Sequence, residues 1–413
     1  MPEAAPQALA AAATLRSAAT IRERCANITR AVEAGRSSHF TLARDKLDDV
    51  LRRVEAVTRA RHPDLVIPYH SRWRHFEAGG VDRKAQLDGV LAGRSRAAQA
   101  RARIDLTVVS VLLDAGAGPA WGYTEAPGGT RHARSEGLGV ASFRAFMEGR
   151  FSSELADPFR VDAAALRRIT RPALEAVFQV TQDNPLVGID GRAALLRSLG
   201  EALQAQPQIF GGDGRPGGLF DALTHHGEAM RIAAPRVLGA LLDHLSGIWP
   251  SGHQLGGVPL GDCWPHPLAG GVGASAGWVP FHKLSQWLSY SLLEPFEWAG
   301  VTLSDQDGLT GLPEYRNGGL LLDAGVLQPR DVDFAARRYR AGDAFIIEWR
   351  ALTVTLLDEI AALLRARLNR SVQQMPLACV LEGGTWGAGR VIARERRADG
   401  SPPLQIDSDG TVF

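Results

Sequence analysis

A mainly α-helical fold with minor short strands is predicted by three features of the 413-residue sequence. Residues 1–60 are rich in Ala, Leu, Arg and Glu and hold no Gly between Met1 and Ala34, a composition that favours helix. The segment FIIEWRALTVTLLDEIAALLRARL predicts one long amphipathic helix. Gly- and Pro-rich stretches such as LSGIWPSGHQLGGVPLGDCWPHPLAGG separate the helical segments. These stretches predict long loops, which in a compact domain are usually functional.

Local signals predict the individual elements. SSHFTLARDKL predicts a helix with Ser38 as N-cap, and a further helix is expected from Pro280 to Glu294, with Pro295 beyond it. RARIDLTVVSVLLDAG fits either a helix or a strand, and AGAGPAWGYTEAPGGT fits a loop or a short hairpin. LSDQDGLTGLPEYRNGGLLLDAGVL is expected to be a loop, and the chain from LEGGTWGAGR onward to be irregular or short strand.

The chain shows no internal repeat and no convincing linker. A single continuous body is therefore expected, with residues 1–60 as a looser N-terminal helical portion and residues 61–413 as the main domain.

Charge and cysteine content exclude several classes of protein. The 46 Lys and Arg nearly cancel the 45 Asp and Glu, whereas binding to nucleic acid or to an anionic membrane favours a basic excess. Three cysteines are too few for a disulfide scaffold and suit a reducing compartment. The Ala-rich N-terminus has no apolar run long enough for a signal or a membrane span. We expect a cytoplasmic protein.

The helix expected after Pro280 carries two stripes. Apolar residues recur on one face at helical spacing, as a core-facing side requires. The adjoining polar side chains are not the Glu, Lys and Arg mixture of a solvated face, so they indicate a stripe that faces a site. A solvated face is the alternative. The members of this polar stripe are His282, Gln286 and either Ser289 or Tyr290, with Lys283 beside it.

Acidic residues cluster in two further segments. In SDQDGLTGLPEYRNGG, turn chemistry explains Asp305 and Asp307 but not the run from Glu314 to Asn317. In FIIEWRAL, Glu348 is either an exposed first-turn residue, which the helix dipole favours, or a partly buried acid with a raised pKa. The second alternative would make Glu348 a candidate proton donor.

The segment GDCWPHP offers Asp262, Cys263 and His266. Zinc is not expected, because a single Cys and scattered His do not supply a structural site, and Cys263 as a nucleophile is weaker still. Asp262 is the stronger candidate, since Trp264 and the prolines would hold it in a rigid turn. Elsewhere, Trp121 and Tyr123 suit either stacking on a polar ring or plain packing.

Motifs spread from about residue 70 to the C-terminus resemble one family. They are HFEAGG, LLDAGAGPAWGYTE, RSEGLGVASF, IWPSG, LGDCWPH, PFHKLSQWLSYSLLEP, DGLTGLPEYRNGGLLLDAGVL and LEGGTWGAGR. Together they identify the chain as a member of the uracil-catabolism (URC/Urg-type) family of formerly unknown function. That pathway is understood to open the pyrimidine ring and to leave a ribosylurea-type intermediate, from which urea must be released.

The order of motifs also resembles, more distantly, the queuosine 5′-phosphate N-glycosidase (queuosine salvage) family. Those enzymes are all-helical, resemble DNA glycosylases in fold and hydrolyse an N-ribosidic bond. Near Ser291, where that family's helix acid would align, this chain has no carboxylate, and Glu294 lies one turn away.

The two resemblances imply an N-ribosidic hydrolase that releases urea from ribosylurea or its 5′-phosphate, with residues 61–413 as its catalytic domain. The acids expected to act are Asp262, Glu294, Asp307, Glu314 and Glu348. The residues expected to bind substrate are Trp121, Tyr123, His282, Lys283, Gln286, Tyr290, Tyr315, Arg316, Asn317 and Arg350. No cofactor and no metal is expected.

The expected partners are a small ribosyl substrate and other pyrimidine-catabolism enzymes, with neither nucleic acid nor membrane. The alternatives are a non-enzymatic partner of the ring-opening enzyme and an amidohydrolase that attacks the urea group.

Overall fold

A computed structural model describes residues 6–249 and 252–407 and confirms the mainly α-helical fold. In chain order the helices are α1 (Pro6–Leu15), α2 (Ala18–Glu33), α3 (Leu47–Arg61), α4 (Arg72–Phe76), α5 (Arg83–Val90), α6 (Arg96–Leu112), α7 (Arg134–Met147), α8 (Ala163–Arg167), α9 (Arg171–Val177), α10 (Ile189–Gln204), α11 (Pro207–Phe210), α12 (Gly218–Thr224), α13 (Ala234–Leu245), α14 (Lys283–Trp298), α15 (Tyr315–Asp323), α16 (Ala344–Leu368), α17 (Leu377–Val380) and α18 (Trp386–Arg396). A π-helical segment, Leu381–Thr385, precedes α18.

The described strands are short and pair only two by two. Antiparallel pairs join β1 (Phe40–Leu42) to β10 (Leu327–Pro329), β2 (Gly122–Glu125) to β3 (Thr130–Ala133), β5 (Gln254–Leu255) to β6 (Val258–Pro259), and β7 (Cys263–Pro265) to β8 (Trp278–Pro280). Parallel pairs join β4 (Arg231–Ala233) to β9 (Thr302–Ser304), and β11 (Arg338–Tyr339) to β12 (Gln405–Ile406). The β2–β3 pair is the hairpin that the sequence allowed.

The chain forms two compact units, each assembled from separate stretches. In its described part, the first unit contains residues 6–70, 252–286 and 305–407, and the second contains residues 71–249 and 287–304. Residues 6–60 thus share a unit with the C-terminal helices. None of the described helices has the length and hydropathy that a membrane span requires.

The core of the first unit is built on α16, against which α2 packs. All residues from Phe345 to Val354 are buried. The helix was expected to be amphipathic, but its first half is covered on every side, as a central core helix must be. Helices α15 and α18 pack together in the same unit.

The second unit is organised around α6, which contacts α7 and α12. Every residue from Ala102 to Leu112 is buried, which resolves the helix-or-strand ambiguity in favour of helix. Buried Asp105 accepts hydrogen bonds from the backbone N–H groups of Val161, at 3.1 Å, and Gly217, at 2.7 Å. It also pairs with Arg215 at 2.6 Å, so the carboxylate inside α6 has a cationic partner.

Two helix starts predicted from the sequence are wrong. Ser38 caps no helix, because the Ser37 hydroxyl accepts the N–H groups of His39 and Phe40 and turns the chain into β1. The helix expected at Pro280 begins at Lys283, since Pro280 belongs to β8 and His282 has a positive φ of 47°.

Pro295 lies inside α14 rather than beyond its end. Proline has no N–H for the carbonyl of the residue four positions earlier, which here is Ser291. The indole N–H of Trp73 donates to that carbonyl at 3.1 Å. A side chain therefore replaces the missing helical hydrogen bond, which sequence periodicity cannot reveal.

Two segments expected to be irregular are helical. The PEYRNGG loop becomes α15 from Tyr315 onward, and the LEGGTWGAGR segment forms the π-helical segment and α18. Their glycines suggested turns, but in both segments glycine serves close packing between helices. A Cβ on Gly389 would lie 2.2 Å from the carbonyl oxygen of Arg316.

Candidate functional site

Arg72 is the centre of a buried polar cluster in the second unit. The Arg72 cluster consists of Arg72, His75, Ser110, Asp114, Ser135 and Ser291. Nη1 of Arg72 lies 2.8 Å from Asp114 Oδ2 and 2.9 Å from His75 Nδ1, and it donates to the Ser135 carbonyl at 3.1 Å. The backbone N–H of Arg72 donates to Ser291 Oγ at 2.9 Å.

These contacts bring together four of the motifs that carried the family resemblance. They are HFEAGG through His75, LLDAGAG through Asp114, RSEGLG through Ser135 and SYSLLEP through Ser291. Burial lowers the pKa of Arg72, and the carboxylate of Asp114 opposes that effect. Arg72 and Asp114 were missed at the sequence level, because an Arg in SRWRHF and an Asp before a glycine-rich turn suggest surface charge and turn chemistry.

Glu294 lies in the same unit, on α14, one turn after Ser291. It is 8% exposed, accepts a hydrogen bond from the hydroxyl of Ser71 and pairs with Arg74 at 2.8 Å. Burial raises the pKa of Glu294 above the ordinary range of a glutamate, against the opposing effects of Arg74 and Ser71. A buried carboxyl with a raised pKa keeps its proton to a higher pH than an ordinary glutamate and can donate it.

The aromatic candidates of the second unit are buried. Trp121 donates its indole N–H to the Phe178 carbonyl at 2.9 Å, and Tyr123 lies in β2 with its pKa raised by burial. Tyr290 is fully buried on α14. Trp121 has the contacts of a packing residue, and a substrate-binding role for the three stays a prediction.

Asp262 and Arg350 form a buried ion pair in the first unit. Two parallel hydrogen bonds of 2.8 and 2.6 Å join them, and the Arg350 guanidinium lies 4.0 Å from the ring centroid of Phe281. Asp262 also accepts the indole N–H of Trp264, at 2.8 Å, and the backbone N–H of Lys283, at 3.0 Å. Although burial raises the pKa of Asp262, Arg350 outweighs that effect and holds it well below its usual range. Asp262 is therefore an ionised carboxylate that four hydrogen bonds hold in its turn.

Glu348 is a buried carboxylate, so the exposed first-turn position that the sequence also allowed does not occur. It is 2% exposed and accepts a hydrogen bond from the Ser37 hydroxyl. Its Oε1 lies 3.5 Å from Nε2 of His266.

Three predicted binding residues surround the start of α14. His282 is buried, its Nε2 lies 2.9 Å from the Leu15 carbonyl oxygen, and burial lowers its pKa. Gln286 donates from Nε2 to the Thr310 hydroxyl at 2.8 Å, and Lys283 is half-buried. The alternative that this polar stripe is a solvated face is therefore wrong, because His282 and Gln286 are buried.

The PEYRNGG residues hold the start of α15. Both carboxylate oxygens of Glu314 accept backbone N–H groups, one from Arg316 and one from Asn317, each at 2.7 Å. Glu314 is thus an N-cap. The side chains of Arg316 and Asn317 donate to the carbonyls of Gly400, at 3.0 Å, and Leu312, at 3.1 Å. Burial raises the pKa of Tyr315 to about 12. A catalytic or binding role for these four residues stays a prediction.

Gly318 in this motif is expected to tolerate no side chain. A Cβ there would lie 2.3 Å from Cζ2 of Trp349, itself fully buried, so Gly318→Ala should lower the free energy of unfolding by about 1–3 kcal/mol. Gly239, inside α13, is a matched control because a Cβ there meets nothing within 4 Å. Gly239→Ala should raise stability by about 0.5–1 kcal/mol. Urea unfolding curves measure both, and equal midpoints for the two variants would refute the packing role of Gly318.

Asp307 is engaged in two structural contacts of the first unit. One oxygen accepts the backbone N–H of Leu377 at 2.7 Å, and the other lies 2.6 Å from Nη2 of Arg365. These contacts account for its presence in the loop, and a catalytic role stays a prediction.

A buried carboxylate–histidine pair in the first unit was also missed. Glu382, in the π-helical segment, lies 2.7 Å from Nδ1 of His70 and 3.0 Å from Nη2 of Arg61. Its backbone carbonyl accepts a second hydrogen bond from Arg61 at 2.7 Å. π-Helical turns are frequent at functional sites. Glu382 lies in the LEGGTWGAGR motif, but the glycines of that motif indicated a turn, so Glu382 was not selected as a candidate.

Cys263 and His266 do not form a metal cluster. In the part of the chain that the structure describes, no group of three or more His, Cys, Asp or Glu side chains is arranged to hold a metal ion. Burial raises the pKa of the Cys263 thiol, which disfavours the thiolate that a nucleophile or a zinc ligand needs.

Comparison with known proteins agrees with the motif resemblance. A family model described as "Protein of unknown function (DUF1688)" matches residues 14–413. The chain is similar to protein urg3 of Schizosaccharomyces pombe, with 39% identity over 409 residues that cover 97% of this chain and 98% of that protein. It is also similar to uracil catabolism protein 4 of Lachancea kluyveri, with 38% identity over 432 residues that cover 96% and 98%. Because the family model spans nearly the whole chain, the protein belongs to the DUF1688 family.

Proposed function

We propose that this protein acts in uracil catabolism and hydrolyses the bond between C1′ of ribose and the urea nitrogen of ribosylurea or its 5′-phosphate. The name of the Lachancea kluyveri relative supports the pathway. The motif order shared with N-ribosidic hydrolases supports the bond that is cleaved.

The observation that carries the proposal is the burial of the Glu294 carboxyl on α14, which raises its pKa. Urea is a poor leaving group unless its nitrogen is protonated as the bond to C1′ breaks. The raised pKa of Glu294 suits a carboxyl that enters the reaction with its proton in place. Glu294 also lies within one turn of the position where the queuosine salvage family would place its helix acid.

In the proposed reaction the C1′–N bond breaks as Glu294 donates its proton to the urea nitrogen. The electron pair of that bond leaves with urea, and C1′ acquires oxocarbenium character. A water molecule adds its oxygen to C1′ and gives up one proton, which restores the carboxyl of Glu294. The products are urea and ribose or ribose 5-phosphate, so atoms and charges balance without a cofactor.

Incubation of the purified protein with ribosylurea, and separately with its 5′-phosphate, tests the proposal. We expect urea and the free sugar in equal amounts from at least one of the two substrates. Failure to release urea from either compound would exclude the hydrolase. Stable co-purification with a ring-opening enzyme, without turnover, would favour the non-enzymatic alternative.

A further inference from the structure

Two atoms of the Arg72–Asp114 ion pair have no hydrogen-bond partner among residues 6–249 and 252–407. They are Nη2 of Arg72 and Oδ1 of Asp114. Both side chains are more than nine-tenths buried, at 0% and 8% exposure. Native proteins leave few buried polar groups unsatisfied, and an unsatisfied charged group is more costly than a neutral one. A buried donor and a buried acceptor in one ion pair therefore form a place where a bound polar group would be stabilised.

The chemistry of the ligand follows from the other contacts of the guanidinium. Nη1 binds Asp114, His75 and the Ser135 carbonyl, and Nε donates to Ser110 at 2.7 Å. What remains is one donor nitrogen with two N–H groups, Nη2 of the planar guanidinium, and one oxygen of a carboxylate that can only accept. A planar O=C–N–H group offers the complementary acceptor and donor.

We propose that the Arg72–Asp114 pair binds the ureide edge of the substrate. The ureide oxygen accepts from Nη2 of Arg72, and a ureide N–H donates to Oδ1 of Asp114. This inference rests on the proposed function for the identity of the ureide. The guanidinium charge then stabilises the electron density that builds on the ureide as the C1′–N bond breaks.

The backbone of α7 packs closely against the Arg72–Asp114 pair. Gly139, in the RSEGLG motif on α7, would place a Cβ 2.9 Å from Cβ of His75 and 3.6 Å from Cζ of Arg72. Both unpartnered atoms are shut off from solvent. A ligand therefore reaches them only if the surrounding chain opens.

Calorimetric titration with ribosylurea and with ribose tests the pair. The titrations use Glu294→Gln, to prevent turnover, and the same variant with Asp114→Asn added. We expect Asp114→Asn to weaken ribosylurea binding by at least about tenfold, the loss of one charge-assisted hydrogen bond, and to leave ribose binding unchanged. Asp221→Asn is the matched control, because Asp221 forms a satisfied bidentate pair with Arg101, at 2.7 and 2.8 Å, in the same unit. The control should bind ribosylurea normally.

Three results would overturn the inference. They are the absence of ribosylurea binding to Glu294→Gln, undiminished binding after Asp114→Asn, and equal losses for ribosylurea and ribose. If Asp114→Asn does not fold, a crystal structure of Glu294→Gln with ribosylurea decides. The ureide oxygen should lie within hydrogen-bond distance of Arg72 Nη2, and a water molecule there, with the ligand elsewhere, would contradict the assignment.

The two proposals fail separately. Ribosylurea bound at Arg72 and Asp114 in a protein that releases no urea would refute the hydrolase and support the ureide site. Urea release together with undiminished binding after Asp114→Asn would support the hydrolase and refute the ureide site.

Discussion

Replacement of Glu294 by Gln is expected to lower kcat for urea release by about 10²–10⁴-fold, the usual contribution of a general acid. Glutamine keeps the shape of the side chain and can still accept hydrogen bonds from Ser71 and Arg74, but it has no proton to donate. Steady-state assays of urea with both ribosylurea substrates measure the effect. Glu201→Gln, an exposed acid on α10, is the matched control and should retain wild-type kcat.

The pH profile separates an acid from a merely structural glutamate. The protonated carboxyl is the active form, so kcat should fall as pH rises through the pKa of Glu294, which burial raises. This descending limb should be absent from the residual activity of Glu294→Gln. A wild-type profile that rises through the same pH range, or a variant with unchanged kcat, would contradict the general-acid role.

Replacement of Asp262 by Asn is expected to lower the free energy of unfolding by about 3–5 kcal/mol, because it removes the counter-charge of a buried arginine. Arg350 is fully buried in the first unit and donates two hydrogen bonds to this carboxylate. Chemical denaturation measures the loss. Asp49→Asn is the control, since its pair with Arg52 is exposed and should contribute at most about 1 kcal/mol.

The stability difference should depend on pH in a defined direction. Because the folded-state pKa of Asp262 lies below the unfolded value of about 3.9, its ion pair stabilises the fold fully only above that unfolded value. The advantage of the wild type over Asp262→Asn should shrink as pH falls below about 4. A difference that stays constant down to pH 2 would show that Asp262 acts through packing and not through its charge.

The helical fold could be predicted because its cause is local. Composition and periodicity were enough to predict that α16 is a helix, and the resemblance of widely spaced motifs was enough to predict the family. Local patterns failed where a distant side chain decides the outcome. Pro295 should end a helix, yet Trp73 supplies the hydrogen bond that lets α14 continue. Gly318 and Gly389 resemble turn residues, yet they allow helices to approach.

The candidate site was harder to predict than the fold. Asp262, Glu294 and Glu348 were selected as acids, and all three are buried and bonded. The sequence could not distinguish them from Glu314, whose carboxylate caps a helix. Asp114 and Glu382 were missed, because each lies beside glycines that indicate turns. Their significance depends on partners, Arg72 and His70, that lie far away in the sequence.

The proposed hydrolysis is tested most directly by following the carbon of the urea group. Ribosylurea labelled with carbon-13 at that carbon, incubated with the protein and observed by NMR, should give the signal of free urea together with free ribose. If the 5′-phosphate is required, the labelled phosphate should give the same result. Labelled bicarbonate with ammonia would instead identify an amidohydrolase, and an unchanged spectrum with both compounds would contradict the account.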